Sequence, residues 1–208
     1  MTSPMFLIAI AGPSGSGKST IASALQKAIS DKHSTAVVSL DRYYLDLRHL
    51  PIDARHRQNF DTPTAIECQL LLNHIDRLSA GTAVDLPRYS FATHLRLSQV
   101  DVLAPPAVLV VEGLFALYWP ELRDRAKLRV YVDAPPDACL QRRTARDSRE
   151  RGRSESSIVH QFYSHVEPMW RKHISPTRTM ADLTVSGIDP LPAVVDTICS
   201  QFSALWSS

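Results

Sequence analysis

Cysteine is scarce in this chain: Cys68, Cys139 and Cys199 are three among 208 residues, widely spaced and without a C-x-x-C pair. That excludes a disulfide framework and a thiolate zinc site, and it fits a reducing, cytoplasmic setting. An excess of one charge is also missing, because 23 Lys and Arg face 21 Asp and Glu. A net charge of +2 is too mild for a nucleic-acid coat, although a local group of arginines can still meet a phosphorylated small molecule. No apolar run approaches the roughly 20 residues of a membrane-spanning helix. The opening run Phe6 to Ala11 has no Lys or Arg before it, so it reads as a buried strand and not as a signal peptide. Repeats, linkers and low-complexity segments are absent as well. What remains is an ordinary globular composition, 44% hydrophobic and 21% charged, which at this length predicts one domain over 1–208.

Short β-branched runs recur at Phe6 to Ala11, Thr35 to Leu40, Ala107 to Val111, Leu128 to Val132 and Leu183 to Val185. Between them lie stretches of helical character: Ser19 to Ser30, Ala65 to Ser79, Asp137 to Arg149, Ser154 to Ile174 and Pro192 to Leu205. In the second of these, Ile66, Leu70, Leu71, Ile75 and Leu78 share one face. This alternation predicts an α/β fold with helices on both faces of a parallel sheet. The segment 82–104 breaks the pattern, with apolar and polar residues alternating around Tyr89-Ser90-Phe91-Ala92, and predicts an antiparallel hairpin projecting from the sheet.

Gly12-Pro13-Ser14-Gly15-Ser16-Gly17-Lys18-Ser19 matches G-x-x-x-x-G-K-[ST] between an apolar run and a helical one. Glycines let backbone N–H groups converge on phosphate oxygens, and the dipole of the following helix favours an anion there. Gly12 to Thr20 is therefore the expected binding segment of a nucleoside triphosphate. Within it Lys18 should reach the β- and γ-phosphates, and the Ser19 hydroxyl should ligate Mg²⁺. The loop alone does not separate a kinase from an ATPase or a GTPase switch.

A kinase also needs a carboxylate beside the acceptor hydroxyl. Asp41 follows the apolar run Val37 to Leu40, and ligands of open α/β sheets lie beyond the carboxyl ends of the strands, so Asp41 is the candidate base. Glu112 closes the run Val108 to Val111 ahead of Gly113 and is the candidate partner of Mg²⁺.

With these residues placed, the chain resembles the uridine kinase (uridine-cytidine kinase) family of P-loop kinases from the P-loop to about Val185. The matching segments are Asp41-Arg42-Tyr43-Tyr44, Asn59-Phe60-Asp61-Thr62-Pro63, Asp85 to Phe91, Glu112-Gly113, Arg142 to Arg153, and Ala181-Asp182. The resemblance implies a P-loop NTPase-type sheet with a substrate hairpin at 82–104 and an arginine-rich lid at 142–153. It further implies transfer of phosphate from ATP or GTP to the 5'-hydroxyl of uridine or cytidine, with Asp41 as base. Asp61 would take the ribose hydroxyls, and Tyr44, Phe60, Tyr89, Phe91 and His94 would hold the nucleoside. Arg143 would stand beside the ribose, Arg146 and Arg151 near the donor phosphates, and Arg153 near the base. A homo-oligomer, commonly a tetramer, is implied too, with small-molecule partners and neither nucleic acid nor membrane.

The sequence departs from the family's habits at Thr62, at Glu67 and in Ser186-Gly187-Ile188-Asp189-Pro190, which points to changed support for Asp61 and changed contacts to the donor base. Other P-loop kinases, of phosphoribulokinase or pantothenate kinase type, share the loop and the strand-end aspartate, but the aromatic set favours a flat heterocycle. A nucleotide sensor without turnover would not need Asp41.

Overall fold

Seven strands run through the described residues: β1 (Phe6–Ala11), β2 (Thr35–Ser39), β3 (Val84–Ser90), β4 (Leu95–Leu103), β5 (Val108–Glu112), β6 (Leu128–Asp133) and β7 (Leu183–Ser186). The computed structural model describes residues 5–207, with the backbone alone at Glu150 and Arg151. Five strands form a parallel sheet in the order β2-β5-β1-β6-β7, while β3 and β4 pair antiparallel as a separate hairpin. The helices are α1 (Lys18–Ser30), α2 (Ile52–His56), α3 (Cys68–Ser79), α4 (Pro120–Arg125), α5 (Pro136–Arg151), α6 (Glu155–Gln161), α7 (Glu167–Met169) and α8 (Leu191–Trp206).

Strand alternation builds two cores from the same chain. On β1, Leu7, Ala9 and Ala11 enter the layer that contains Leu71, Ile75 and Leu78 of α3, whereas Phe6, Ile8 and Ile10 enter the layer of α1 and α8. Both faces of the central strand are thus covered, which is why its sequence reads as continuous apolar residues. Helix α1 presents Ile21, Ala22, Leu25 and Ile29 at helical spacing to this second layer. Each large side chain so buried contributes roughly 1.5–3 kcal/mol. Among the described residues, no helix is long and apolar enough to cross a membrane.

The expected helix from Ala65 is shorter than its apolar spacing suggests. Pro63–Ala65 forms a 3₁₀ turn, and Ile66 is extended (φ −105°, ψ 132°) in an isolated antiparallel bridge with Tyr44. The Glu67 N–H then donates to the Tyr43 carbonyl at 2.8 Å, so α3 starts only at Cys68. Ile66 is buried as its periodicity implies, but in a segment that props the turn after β2. The expected helix 154–174 is continuous but uneven, passing through π-turns at Phe162–Val166 and Trp170–Ile174 on either side of α7. Pro168 lies between these turns and has no N–H for an i−4 carbonyl, so the backbone widens around it.

One buried polar pair ties α3 to the turn after β2. The Tyr43 hydroxyl lies 3.0 Å from His74 Nδ1, and both residues are buried. Burial holds the Tyr43 phenol protonated. Burial, with Arg77 adding to it, also keeps His74 below its ordinary pKa of 6.5. The unfolded chain therefore takes up a proton near pH 6.5 that the folded chain refuses. The His74 contribution to stability is complete above that pH and is lost as pH falls, by at most about 1.4 kcal/mol per pH unit. Urea denaturation at pH 7.5 and 5.5 should show this loss in the wild type, and His74→Gln should remove that part of the slope.

Candidate active site

Each strand of the parallel sheet ends in a piece of one cleft. The P-loop follows β1, Asp41 follows β2, Glu112 is the last residue of β5, α5 follows β6, and Gly187 follows β7. Register makes this convergence: Glu112 pairs with Ile10 on one side and with Ser39 on the other, so the acid sits level with the start of the loop. The cleft holds about 760 Å³, open solvent at its mouth included.

The P-loop is held by backbone on two sides. Gly15 has φ +86°, and a Cβ there would lie 2.4 Å from the Cys139 carbonyl oxygen of α5. Gly187 approaches more closely still, since a Cβ on it would fall 1.9 Å from the Ser16 carbonyl oxygen. Arg142 completes the seam, its Nη1 donating to the carbonyls of Gly187 at 2.9 Å and Ser16 at 3.3 Å.

Lys18 is buried and donates Nζ to the Pro13 carbonyl at 3.1 Å across its own loop. Desolvation lowers its pKa, and the carboxylates of Glu112 and Asp41 oppose that shift. Glu112, also buried, is pushed up by desolvation, against which Lys18 acts. Its Oε2 accepts from the Ser19 hydroxyl at 3.1 Å. A serine hydroxyl and a carboxylate side by side at the loop's mouth are hard oxygen ligands of the kind Mg²⁺ takes, together with phosphate and water. Asp41 stands in the 3₁₀ turn Leu40–Tyr43, where the Ser39 hydroxyl accepts from its N–H.

The opposite wall is aromatic. Tyr44 meets Phe60 edge-on at 5.4 Å, and Tyr89 lies 5.2 Å from Tyr44 and 5.5 Å from Phe91. His94, at φ 53°, stacks on Phe60 with centroids 4.5 Å apart and planes at 13°. Asp61 is buried at the end of this wall, and its N–H donates to the Asn59 side chain at 2.9 Å.

The structure brings Ser14, Lys18, Ser19, Asp41 and Glu112 to one lining with Tyr44, Phe60, Asp61, Tyr89, Phe91 and His94. Arg143, Arg146 and Arg153 close the same lining. Gly12, Pro13, Gly15, Ser16 and Gly17 form the loop behind it, and Thr20 sits exposed on α1, away from the lining. The side chain of Arg151 lies outside the described residues. Arg143 is almost wholly buried against the P-loop, its Nη1 donating to Ser14 Oγ at 3.0 Å.

Two participants carry no sequence signal. Gln161, the last residue of α6, lines the cleft, and its Oε1 accepts from Arg143 at 3.0 Å and Arg153 at 2.6 Å. Arg96 on β4 donates to the carbonyls of Tyr44 at 3.0 Å and Tyr43 at 3.2 Å and pairs with Glu67, joining the hairpin to the turn that carries Asp41. A lone glutamine and a lone arginine fit no motif. Glu67, one of the departures noted in the sequence, is thus the anchor of Arg96.

A strand-end loop with lysine, an acid level with it and a second acid at the end of the neighbouring strand is the layout of a P-loop kinase. The model of the phosphoribulokinase/uridine kinase family matches residues 7–190. The chain belongs to that family. This kinase is 40% identical over 205 residues to a uridine kinase of Chloroflexus aurantiacus, covering 98% of this chain and 97% of the relative. With a uridine kinase of Aliivibrio fischeri it shares 38% over 202 residues, covering 96% and 94%. In fold it is similar to D-glycerate 3-kinase of Cryptococcus neoformans, with a TM-score of 0.60 at 16% identity, covering 81% of this chain and 79% of that one.

Proposed function

We propose that this kinase transfers the terminal phosphate of ATP or GTP to the 5'-hydroxyl of uridine or cytidine. The observation that carries the reading is the joining of two unlike walls in one cleft. Lys18, Ser19 and Glu112 form a phosphate-facing wall, and Tyr44, Phe60, Tyr89, Phe91 and His94 form a wall suited to a flat ring, with Asp41 between them. The names of the relatives support the same reading.

In this proposal Lys18 and the loop N–H groups hold the donor phosphates, and Ser19 and Glu112 would hold a Mg²⁺ that would supply positive charge there. Asp41 accepts the proton of the 5'-hydroxyl as that oxygen attacks the γ-phosphorus. Asp61 accepts hydrogen bonds from the ribose hydroxyls, and Gln161, whose carbonyl oxygen is already taken, offers its NH₂ to the base edge. The arginines of the lid balance charge on the phosphoryl group and keep water out, so that phosphate passes to sugar and not to solvent.

A coupled assay of Mg-ATP consumption over uridine, cytidine, deoxycytidine, adenosine, ribulose 5-phosphate and pantothenate tests the proposal. Turnover is expected with the two pyrimidine ribonucleosides, and deoxycytidine should lose at least about tenfold in kcat/KM because Asp61 is left without one partner in a dry site. Turnover of ribulose 5-phosphate or pantothenate in their place would overturn it.

A further inference from the structure

The lid arginines gather on a residue of their own segment. Asp147 has a side chain of zero exposure in the middle of α5, between Arg146 and the turn that returns to Arg153. Arg146 donates Nε to its Oδ1 at 2.9 Å, and its Nη2 stands 2.9 Å from the same oxygen as an ion pair. Arg143 Nε stands 3.6 Å and Arg153 Nη1 3.7 Å from its Oδ2. The backbone carbonyl of Asp147 also accepts from the N–H groups of Gly152, in the left-handed region at φ 62°, and of Arg153. One residue thus holds the Arg146 side chain and the turn that brings Arg153 to the cleft, and places its charge beside Arg143 and Arg153.

A carboxylate buried this deeply is tolerated only when cations surround it, and three guanidinium groups crowded without it would repel one another. Arg146 lines the cleft while Oδ1 holds its Nε. Arg146 is near enough to Lys18 to oppose its protonation, so its charge reaches the phosphate wall. We infer that Asp147 is the positioning residue of the lid: from its place between Arg143 and Arg153 it holds Arg146 facing the phosphoryl donor before the donor arrives.

The inference rests on the kinase reading above for what Arg146 faces. It is tested by a double-mutant cycle of Asp147→Asn and Arg146→Ala, read as the ATP dissociation constant by calorimetry and as kcat with uridine. Each single variant is expected to weaken ATP binding about tenfold, the worth of one charge-assisted pair, and to lower kcat by about tenfold or more. KM for uridine should stay within about threefold. Because Asp147 acts through Arg146, the double variant should fall within about twofold of the worse single one. Losses that multiply, or an Asp147→Asn variant within twofold of wild type, overturn the inference. A wild-type chain that binds ATP without turning over uridine or cytidine refutes the proposed function, and the binding cycle still decides on Asp147. If Asp147→Asn shows no cooperative melt, guanidinium chloride is added to Arg146→Ala with sodium chloride as control. The carboxylate should then seat the free ion and restore at least about fivefold in ATP affinity, whereas no recovery overturns the inference.

Discussion

Asp41→Asn should abolish turnover while leaving ATP binding nearly intact. The amide keeps the size and polarity of the carboxylate, and the Ser39 bond is made to the Asp41 main-chain N–H, so the turn after β2 is undisturbed. What is lost is the acceptor for the hydroxyl proton, a function that typically contributes about 10²–10⁴-fold. We expect kcat to fall by about 10³ and the ATP dissociation constant to stay within about threefold. Stopped-time assays of UMP and calorimetry with ATP measure the two. A variant that keeps more than a tenth of the wild-type rate would remove Asp41 from the role of base.

The second large effect is expected at a residue that never approaches the acceptor. Gly187→Ala would place a methyl group 1.9 Å from the Ser16 carbonyl oxygen and 3.0 Å from Val132 Cγ1. Neither the P-loop backbone nor the strand end behind it is a flexible side-chain tip, so one of the two segments must move. Overpacking of this kind costs roughly 3 kcal/mol, divided between stability and the geometry of the loop. KM for ATP should rise by about tenfold at a uridine KM changed far less. A Gly187→Ala enzyme with wild-type KM for ATP would show that the loop is free to give way.

Much of this site was legible in the chain because its pieces are local. The P-loop and the strand-end acids Asp41 and Glu112 are each recognisable within a few residues, since the physics that places them is the end of an apolar run. The hairpin was legible by the same token, from its alternation. Other parts were hidden because they depend on distant partners. Ile66 fitted a helical stripe, yet its backbone pairs with Tyr44, and periodicity does not separate a buried bridge residue from a buried helix residue. Asp147 is a single acid within an arginine-rich stretch, and only its complete burial beside Arg143, Arg146 and Arg153 reveals what it does there. Gly187 lay in a segment notable for lacking the family's usual residues, whereas its approach to Ser16 depends on how β7 lies beside β6.

The seam between Gly187 and the P-loop also bears on how the molecule is made. The loop sits near the start of the chain and the strand that leads to its support sits near the end, so they form one of the longest-range contacts in the fold. Contacts of that kind are closed late, after the entropy of the intervening chain has been overcome. During synthesis the phosphate-binding sequence leaves the ribosome early but can be seated only once β7 and the residues after it have emerged. The ability to bind nucleotide therefore waits on the synthesis of β7, and chains cut short before Gly187 should carry the motif without the affinity.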